Sequence, residues 1–328
     1  MITFPFEPRV LAVAAATVML QIAPAGAATR VWVANAGVDS ATCGAIATPC
    51  RTFQQAHDNV ASGGTISLLN PGDYGAVVIG KSVHITNDGV GEAGIQAPGA
   101  TAININAGAG MVVSLRGLVI DGAGSGRFGI GLTSNIGVGG VALHVQNCVI
   151  RNFQGSGPGF PGFGIGLFPS GNAQVFVSNT LVYNNGSIGT SGGVVIDPVN
   201  SGSVTAVLNR VVIENNLVGL RATGLASHVS LLDSTIVGNA GDGILVAISA
   251  GAPGAVVFVD GTTIVNNAGA GLHADGAHAV IVLGDSDVTD NGTGVSATNG
   301  GQVITYGDNE NNLNVGAEGA ATGMFSVF

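Results

Sequence analysis

Lysine is almost missing from this chain: Lys81 is the only one in 328 residues, and charged residues of both signs make up 9% of the sequence. A formal net charge of −10 with so few cations excludes a nucleic-acid partner, because phosphate binding needs clustered Lys and Arg. The same shortage speaks against an anionic membrane surface. Beyond residue 27 no stretch of about 18 apolar residues occurs, so no membrane span is expected. Disorder is excluded by an apolar content of 46%, and a largely helical chain by 55 glycines. The composition that remains is that of an all-β protein with many turns.

What is present is a repeat. An Asn or Asp recurs at Asn147, Asn179, Asn209, Asp233, Asp260, Asp285 and Asp308, spaced by 32, 30, 24, 27, 25 and 23 residues. Periods of this size indicate a solenoid. Six residues further on stand Asn185, Asn215, Asn239, Asn266, Asn291 and Asn314, so the phase survives the changes of spacing. Each repeat reads as one coil of three short strands. In the coil 229–247, Val229 and Leu231 share a face, Asp233 marks a corner, 235–237 is a second strand, and Asn239 to Gly243 lead into a third. Asn and Asp side chains stacked at one corner are expected to form a hydrogen-bonded ladder, and Asp233, Asp260, Asp285 and Asp308 are assigned to it as structural residues.

The first 27 residues have Arg9 ahead of an apolar run over 10–20, then the small-residue exit Ala25-Gly26-Ala27, the pattern of a signal peptide. Export to the periplasm or the extracellular space is expected. In an oxidising compartment Cys43 and Cys50, flanking a short loop, are expected to form a disulfide; two reduced thiols are the alternative. Cys148 has no partner in the sequence and reads as a small buried residue.

The pieces Val31-Trp32-Val33, Gly37-Val38-Asp39-Ser40, Pro49-Cys50-Arg51-Thr52-Phe53, Gly63-Gly64-Thr65-Ile66 and Pro71-Gly72-Asp73-Tyr74 follow one another in an order that resembles the opening module of right-handed parallel β-helix proteins of the pectate-lyase-like superfamily. That superfamily includes polysaccharide lyases, polyuronate epimerases, glycoside hydrolases and members with no known activity. The resemblance implies a single right-handed parallel β-helix, all-β, with a short N-terminal capping helix. The residues themselves place that helix over 53–60, N-capped by Thr52 and ended by Ser62-Gly63-Gly64, where it covers the open end of the stack. Strands are expected at 65–69, 77–79, 83–85, 102–105 and 112–115. The expected organisation is a signal peptide over 1–27, an N-terminal cap over 28–75, coils over 76–315 and a C-terminal cap over 316–328 in which Met324, Phe325, Val327 and Phe328 fold back over the stack end.

Gly124-Ser125-Gly126-Arg127-Phe128-Gly129 matches a dinucleotide-binding fingerprint, but no helix-forming segment follows, so that reading fails. The stretch 155–166, with Pro158, Phe160, Pro161 and Phe163, reads as a long corner loop, either stacking on a sugar ring or packed on itself.

Alternation in the third strand of each coil gives two outward rows. One is Gly131, Gly166, Val195, Arg221, Leu245, His273 and Ser296; the other, two residues on, is Thr133, Phe168, Asp197, Thr223, Ala247, Asp275 and Thr298. Asp197, Arg221, His273 and Asp275 therefore share a face, and they are the candidate site. The resemblance to polyuronate-processing proteins implies that Arg221 would bind or deprotonate near a carboxylate, that Asp197 and Asp275 would hold a cation such as Ca²⁺ or position the sugar, and that His273 would act as acid or base. A solvated face with a chance ion pair is the plain alternative. Related lyases use a groove lysine as base, and Lys81 falls in the cap region instead. Asp197 and Asp275, three coils and about 14 Å apart, are too far apart for an inverting hydrolase. His144 and His228 are each read as lone outward residues, and Asp285, Asp287 and Asp290 as solvated turn residues despite their capacity for Ca²⁺. Two functions follow: an exported protein that binds or acts on polyuronate-type polysaccharide through the outward groove, as lyase or epimerase if catalytic, or a non-catalytic structural or surface-interaction β-helix.

Overall fold

A computed structural model describes residues 27–133, 140–157, 161–224 and 226–325. The signal-peptide assignment therefore lies outside the described residues apart from Ala27, as do Pro158, Phe160, Val327 and Phe328. Short strands wind into a parallel β-helix with three sheets, of 12, 10 and 9 strands among the described residues. Every pairing between named strands is parallel and joins one coil to the next, as in Ser227–Leu232 against Ala255–Asp260 in the first sheet, Thr235–Val237 against Thr263–Val265 in the second, and Ile244–Ala247 against Ala270–Asp275 in the third.

Alternation decides the core. Within one coil Val229, Leu231, Ile236, Ile244 and Val246 are all buried, and the same columns supply buried Val, Ile, Leu or Ala up and down the stack. Fully burying each such side chain contributes about 1.5–3 kcal/mol. The single helix among the described residues is Phe53–Asn59. Thr52 caps it by accepting from the Gln55 amide, while the Asp39 carboxylate accepts from the Arg51 and Thr52 amides. Its Phe53 and Ala56 are buried at the end of the stack, and Phe53 packs on Tyr74 with ring centroids 5.1 Å apart. The chain after the helix passes directly into the strand Val60–Leu68, which begins earlier than expected and pairs with Ala28–Val33. At the other end Gly323–Met324 pairs with the strand Gln302–Thr305, and the Phe325 ring lies 5.4 Å from Tyr306. No helix among the described residues is long and apolar enough to cross a membrane.

The asparagine ladder exists, with a corrected register. Asn185, Asn216, Asn239, Asn267, Asn291 and Asn314 form it: each side-chain amide donates to the next Oδ1 at 2.8–3.2 Å, and each backbone amide donates to that same oxygen at 2.9–3.1 Å. Asn215 and Asn266, expected in the ladder, stand one residue before it and take positive φ of 53° and 57°. A left-handed residue must precede each ladder residue, and Asn tolerates that conformation, so the Asn-Asn pairs are ambiguous by one position.

The other corner shows the same displacement. Asn147, Asn179, Asp233 and Asp285 have φ between 40° and 53°, and the ladder runs one residue later through hydroxyls. Val211, Ser234 and Thr262 donate their amides to Ser234, Thr262 and Ser286 at 3.1–3.3 Å. Asp233 and Asp285 are exposed turn residues, Asp260 ends the strand Ala255–Asp260 ahead of the left-handed Gly261, and none of the three is in the hydroxyl ladder.

Cys43 and Cys50 form a disulfide with Cα atoms 4.9 Å apart. Cys148 occupies the hydroxyl column and is buried; burial pushes its thiol up to about 11. Two outcomes are expected. Replacing Asn239 by Leu removes the acceptor of the Asn216 backbone and side-chain amides, and should cost on the order of 1–3 kcal/mol; an unchanged urea midpoint would contradict the ladder. Alkylation of the native, unreduced protein should leave Cys43 and Cys50 unlabelled until reductant is added, and should reach Cys148 only on unfolding.

Candidate functional site

The third sheet carries the expected outward row in register. Gly131, Gly166, Val195, Arg221, Leu245, His273 and Ser296 are consecutive Cα partners, and the row extends toward the N-terminus through Asn104 and Val78. Thr223, Ala247, Asp275 and Thr298 are likewise partners in the second row. Lys81 stands off this face: its ammonium reaches the carbonyls of Asp58 and Val60 at the end of the capping helix.

Asp197, Arg221 and Asp275 line one cleft of about 340 Å³, together with Thr223, Ala247 and Ser249. Arg221 is half-buried, and its guanidinium has no hydrogen bond or ion pair among the described residues. Burial pulls its pKa below the ordinary value while the charge of Asp197 acts the other way. Asp197 forms no ion pair with it. A half-desolvated guanidinium whose donors are open to the cleft has the chemistry to hold an anion.

His273 is engaged on both sides. Its Nδ1 lies 2.9 Å from Asp242 Oδ2, and its Nε2 lies 3.1 Å from Thr298 Oγ1. The Thr298 hydroxyl donates to Asp275 Oδ1 at 2.8 Å, and the Asn299 amide donates to the same oxygen at 2.6 Å. Asp242 is fixed in turn by the Ala270 amide at 2.7 Å. The hydrogen bond that His273 donates to the Asp242 carboxylate raises its pKa above the ordinary value, and the bonds donated by Asn299 and Thr298 lower that of Asp275.

Asp242, Thr298 and Asn299 were not among the sequence candidates. Asp242 was hidden by a break in alternation. Counting back in twos from Leu245 turns Asp242 inward, yet its carboxylate reaches the outer face, with 19% of the side chain exposed beside a 25%-exposed His273. The cause is Gly243: a Cβ there would come within 2.8 Å of the Asn267 amide nitrogen, so glycine and the following Ile244 both face the interior and the residue before them is thrown outward. Gly193 and Gly271 repeat this contact with Asn216 and Asn291, also at 2.8 Å. A glycine immediately ahead of a buried apolar residue, as at 193, 219, 243 and 271, was the signal available.

The donors present do not fit a Ca²⁺ ion. The side-chain oxygens of two carboxylates and of the Thr223 and Ser249 hydroxyls fall short of the six to eight such an ion takes, and the Arg221 charge shares their cleft. Among the described residues the one group of three with metal-ligand atoms close together is Asp39, Cys43 and Cys50, whose sulfurs are bonded to each other. His144 is not alone: its ring stacks on Phe176 at 4.9 Å on the first sheet, away from the groove.

The pH dependence of His273 has a definite sign. Because its folded pKa is raised, the Asp242 interaction contributes fully below about 6.5, the ordinary histidine value, and is lost as pH rises through the higher native value. The stability advantage of the unmodified protein over Asp242→Asn should therefore shrink with rising pH across that window, and the His273 ring in Asp242→Asn should titrate at lower pH by NMR. A stability difference that does not change with pH would contradict the assignment.

No protein-family model matches the sequence, and no curated protein matches it. In structure the chain is similar to the crystal structure of pectate lyase Pel9A, at 14% identity and a TM-score of 0.66, over 92% of this chain and 80% of that one. Together with the three all-parallel sheets, this likeness establishes the fold of the chain as a right-handed parallel β-helix.

Proposed function

We propose that the chain is an exported β-helix protein that binds polysaccharide of the polyuronate type on the outer face of its third sheet. The observation that carries this reading is Arg221, a half-buried cation with no protein partner among the described residues, standing on the floor of a cleft on a face that runs the length of the stack. A uronate carboxylate is the planar anion a guanidinium holds with two parallel hydrogen bonds. The structural neighbour is itself named a pectate lyase, which agrees with a polysaccharide ligand. Export is supported by the N-terminal apolar segment and by a disulfide, which persists in oxidising compartments.

Binding is favoured over chemistry. A lyase or epimerase must remove a proton beside the carboxylate, and the groove offers two nitrogenous groups for it. Arginine stays protonated in proteins, and both ring nitrogens of His273 are already engaged. The closed chain of hydrogen bonds from Asp242 to Asn299 equally suits a second reading, a non-catalytic structural or surface-interaction protein.

The test is titration calorimetry with polygalacturonate. Arg221→Ala should weaken binding about tenfold or more, since a charge-assisted hydrogen bond contributes roughly 1.5–3 kcal/mol, and should leave stability within about 0.5 kcal/mol. Arg210→Ala is the control: Arg210 is exposed at a corner, bonded to Asn179, and away from the groove. Equal loss in both variants would indicate diffuse electrostatics. Absence of binding to any acidic or neutral glycan would remove the carbohydrate reading and leave the structural one. Absorbance of unsaturated ends and solvent proton exchange, measured on the same samples, report lyase and epimerase activity.

A further inference from the structure

Two strands toward the N-terminus from Arg221, the same face carries a second feature of different chemistry. Phe128, Phe163 and Val195, with Phe168 packed against them, form a cluster separate from the main core. The rings of Phe128 and Phe163 are stacked with centroids 4.8 Å apart, and Phe168 stands edge-on to them at 5.9 and 5.4 Å. Phe128 and Phe163 face outward because Gly129 and Gly164 break the alternation after them, as Gly243 does after Asp242. The floor is cleared for them: a Cβ at Gly166, an outward-row position, would meet the Phe128 and Phe168 rings at 2.8 Å.

These rings border an open cleft of about 730 Å³, completed by Ile188 and by the polar residues Thr101, Asn104, Thr133 and Thr190. That volume lies in the range of small-molecule sites, about 300–1,000 Å³. Among the described residues no Asp, Glu, Lys, Arg or His lines it, on a chain whose formal charge is −10. Thr133 donates to Asn104 Oδ1 at 3.1 Å, and the Asn104 NH₂ and the hydroxyls of Thr101 and Thr190 have no protein partner among the described residues.

We propose that this cleft binds a neutral aromatic ring carrying a hydroxyl or ester group, the chemistry of a phenolic-acid ester. An ionised ligand would lose its hydration in a cleft with no counter-charge. A neutral sugar presents hydroxyls around its whole rim and would leave most of them against the phenylalanines. An aromatic ring extends the stacked and edge-on packing already present, and its one or two polar groups meet the Thr and Asn side of the wall. The site stands independently of the polyuronate reading. If that reading also holds, the cleft is about 10 Å from Arg221 along the stack, within reach of an aromatic ester borne by the same glycan.

The experiment is calorimetry of the full folded chain with methyl 4-hydroxycinnamate, compared with the ionised free acid and with cellobiose. Saturable binding of the methyl ester is expected, at least about tenfold tighter than either comparator. Phe168→Ala should weaken it about tenfold or more, Asn104→Leu several fold, and Arg221→Ala should leave it unchanged. Phe168 is half-buried on the outer face and Asn104 lies at the cleft wall, so circular dichroism should show both variants folded. No saturable binding of the ester, equal binding by Phe168→Ala, or tighter binding of cellobiose would each overturn the proposal. Failure with polygalacturonate would leave it standing.

Discussion

Everything on the outer face depends on the buried asparagine ladder. An unpaired amide in the interior costs about 1–3 kcal/mol, so each coil must place its Asn where the next coil's Oδ1 can accept two hydrogen bonds, and only one register does this. The ladder then excludes a side chain from the column beside it, which is filled by glycine at 193, 219, 243 and 271. Those glycines break the period of two, and the break sets which residues reach the outside three positions before the outward row. Asp242 and Phe163 owe their placement to that interior hydrogen bonding, since Gly243 and Gly164 lie against ladder amides; at Gly129, after Phe128, the space is taken by Ile150, Phe153 and the Gly164 carbonyl instead.

The sequence made the solenoid and most of the face legible, because an apolar period of two over many coils constrains which side chains point out. The row through Arg221 and His273 could be written down correctly from that period alone. The ladder was displaced by a residue at 215 and 266 for a physical reason: Asn serves both the left-handed turn and the ladder, and adjacent asparagines cannot be told apart by spacing. The corner aspartates misled in the same way, standing for backbone conformation where a side-chain ladder was expected. Asp242 and Phe128 were missed, and Phe163 was assigned to a corner loop though it begins the strand Phe163–Leu167, because alternation was carried through a glycine that interrupts it; Phe168 stood on the expected row. The partner of His273 could not be found by counting coils, since the contact runs diagonally, from one coil to the corner of the preceding one.

The two clefts divide the face by charge. At one end neutral aromatic walls exclude ions; toward the other a single open cation stands between two carboxylates, of which Asp275 is already occupied by Thr298 and Asn299. His273 is part of the frame there, locked between Asp242 and Thr298, and Arg221 is the group left to meet a ligand.

The central claim is that a ligand chain lies along the third sheet and nowhere else on the molecule. Side-chain footprinting by hydroxyl radicals, with and without polygalacturonate, tests it directly. The account predicts protection of Arg221, Leu245 and His273 in one continuous patch, with Phe176, 41% exposed on the outer face of the first sheet, reacting at the same rate in both samples. Protection of Phe176, or uniform protection with no contrast between the sheets, would contradict it.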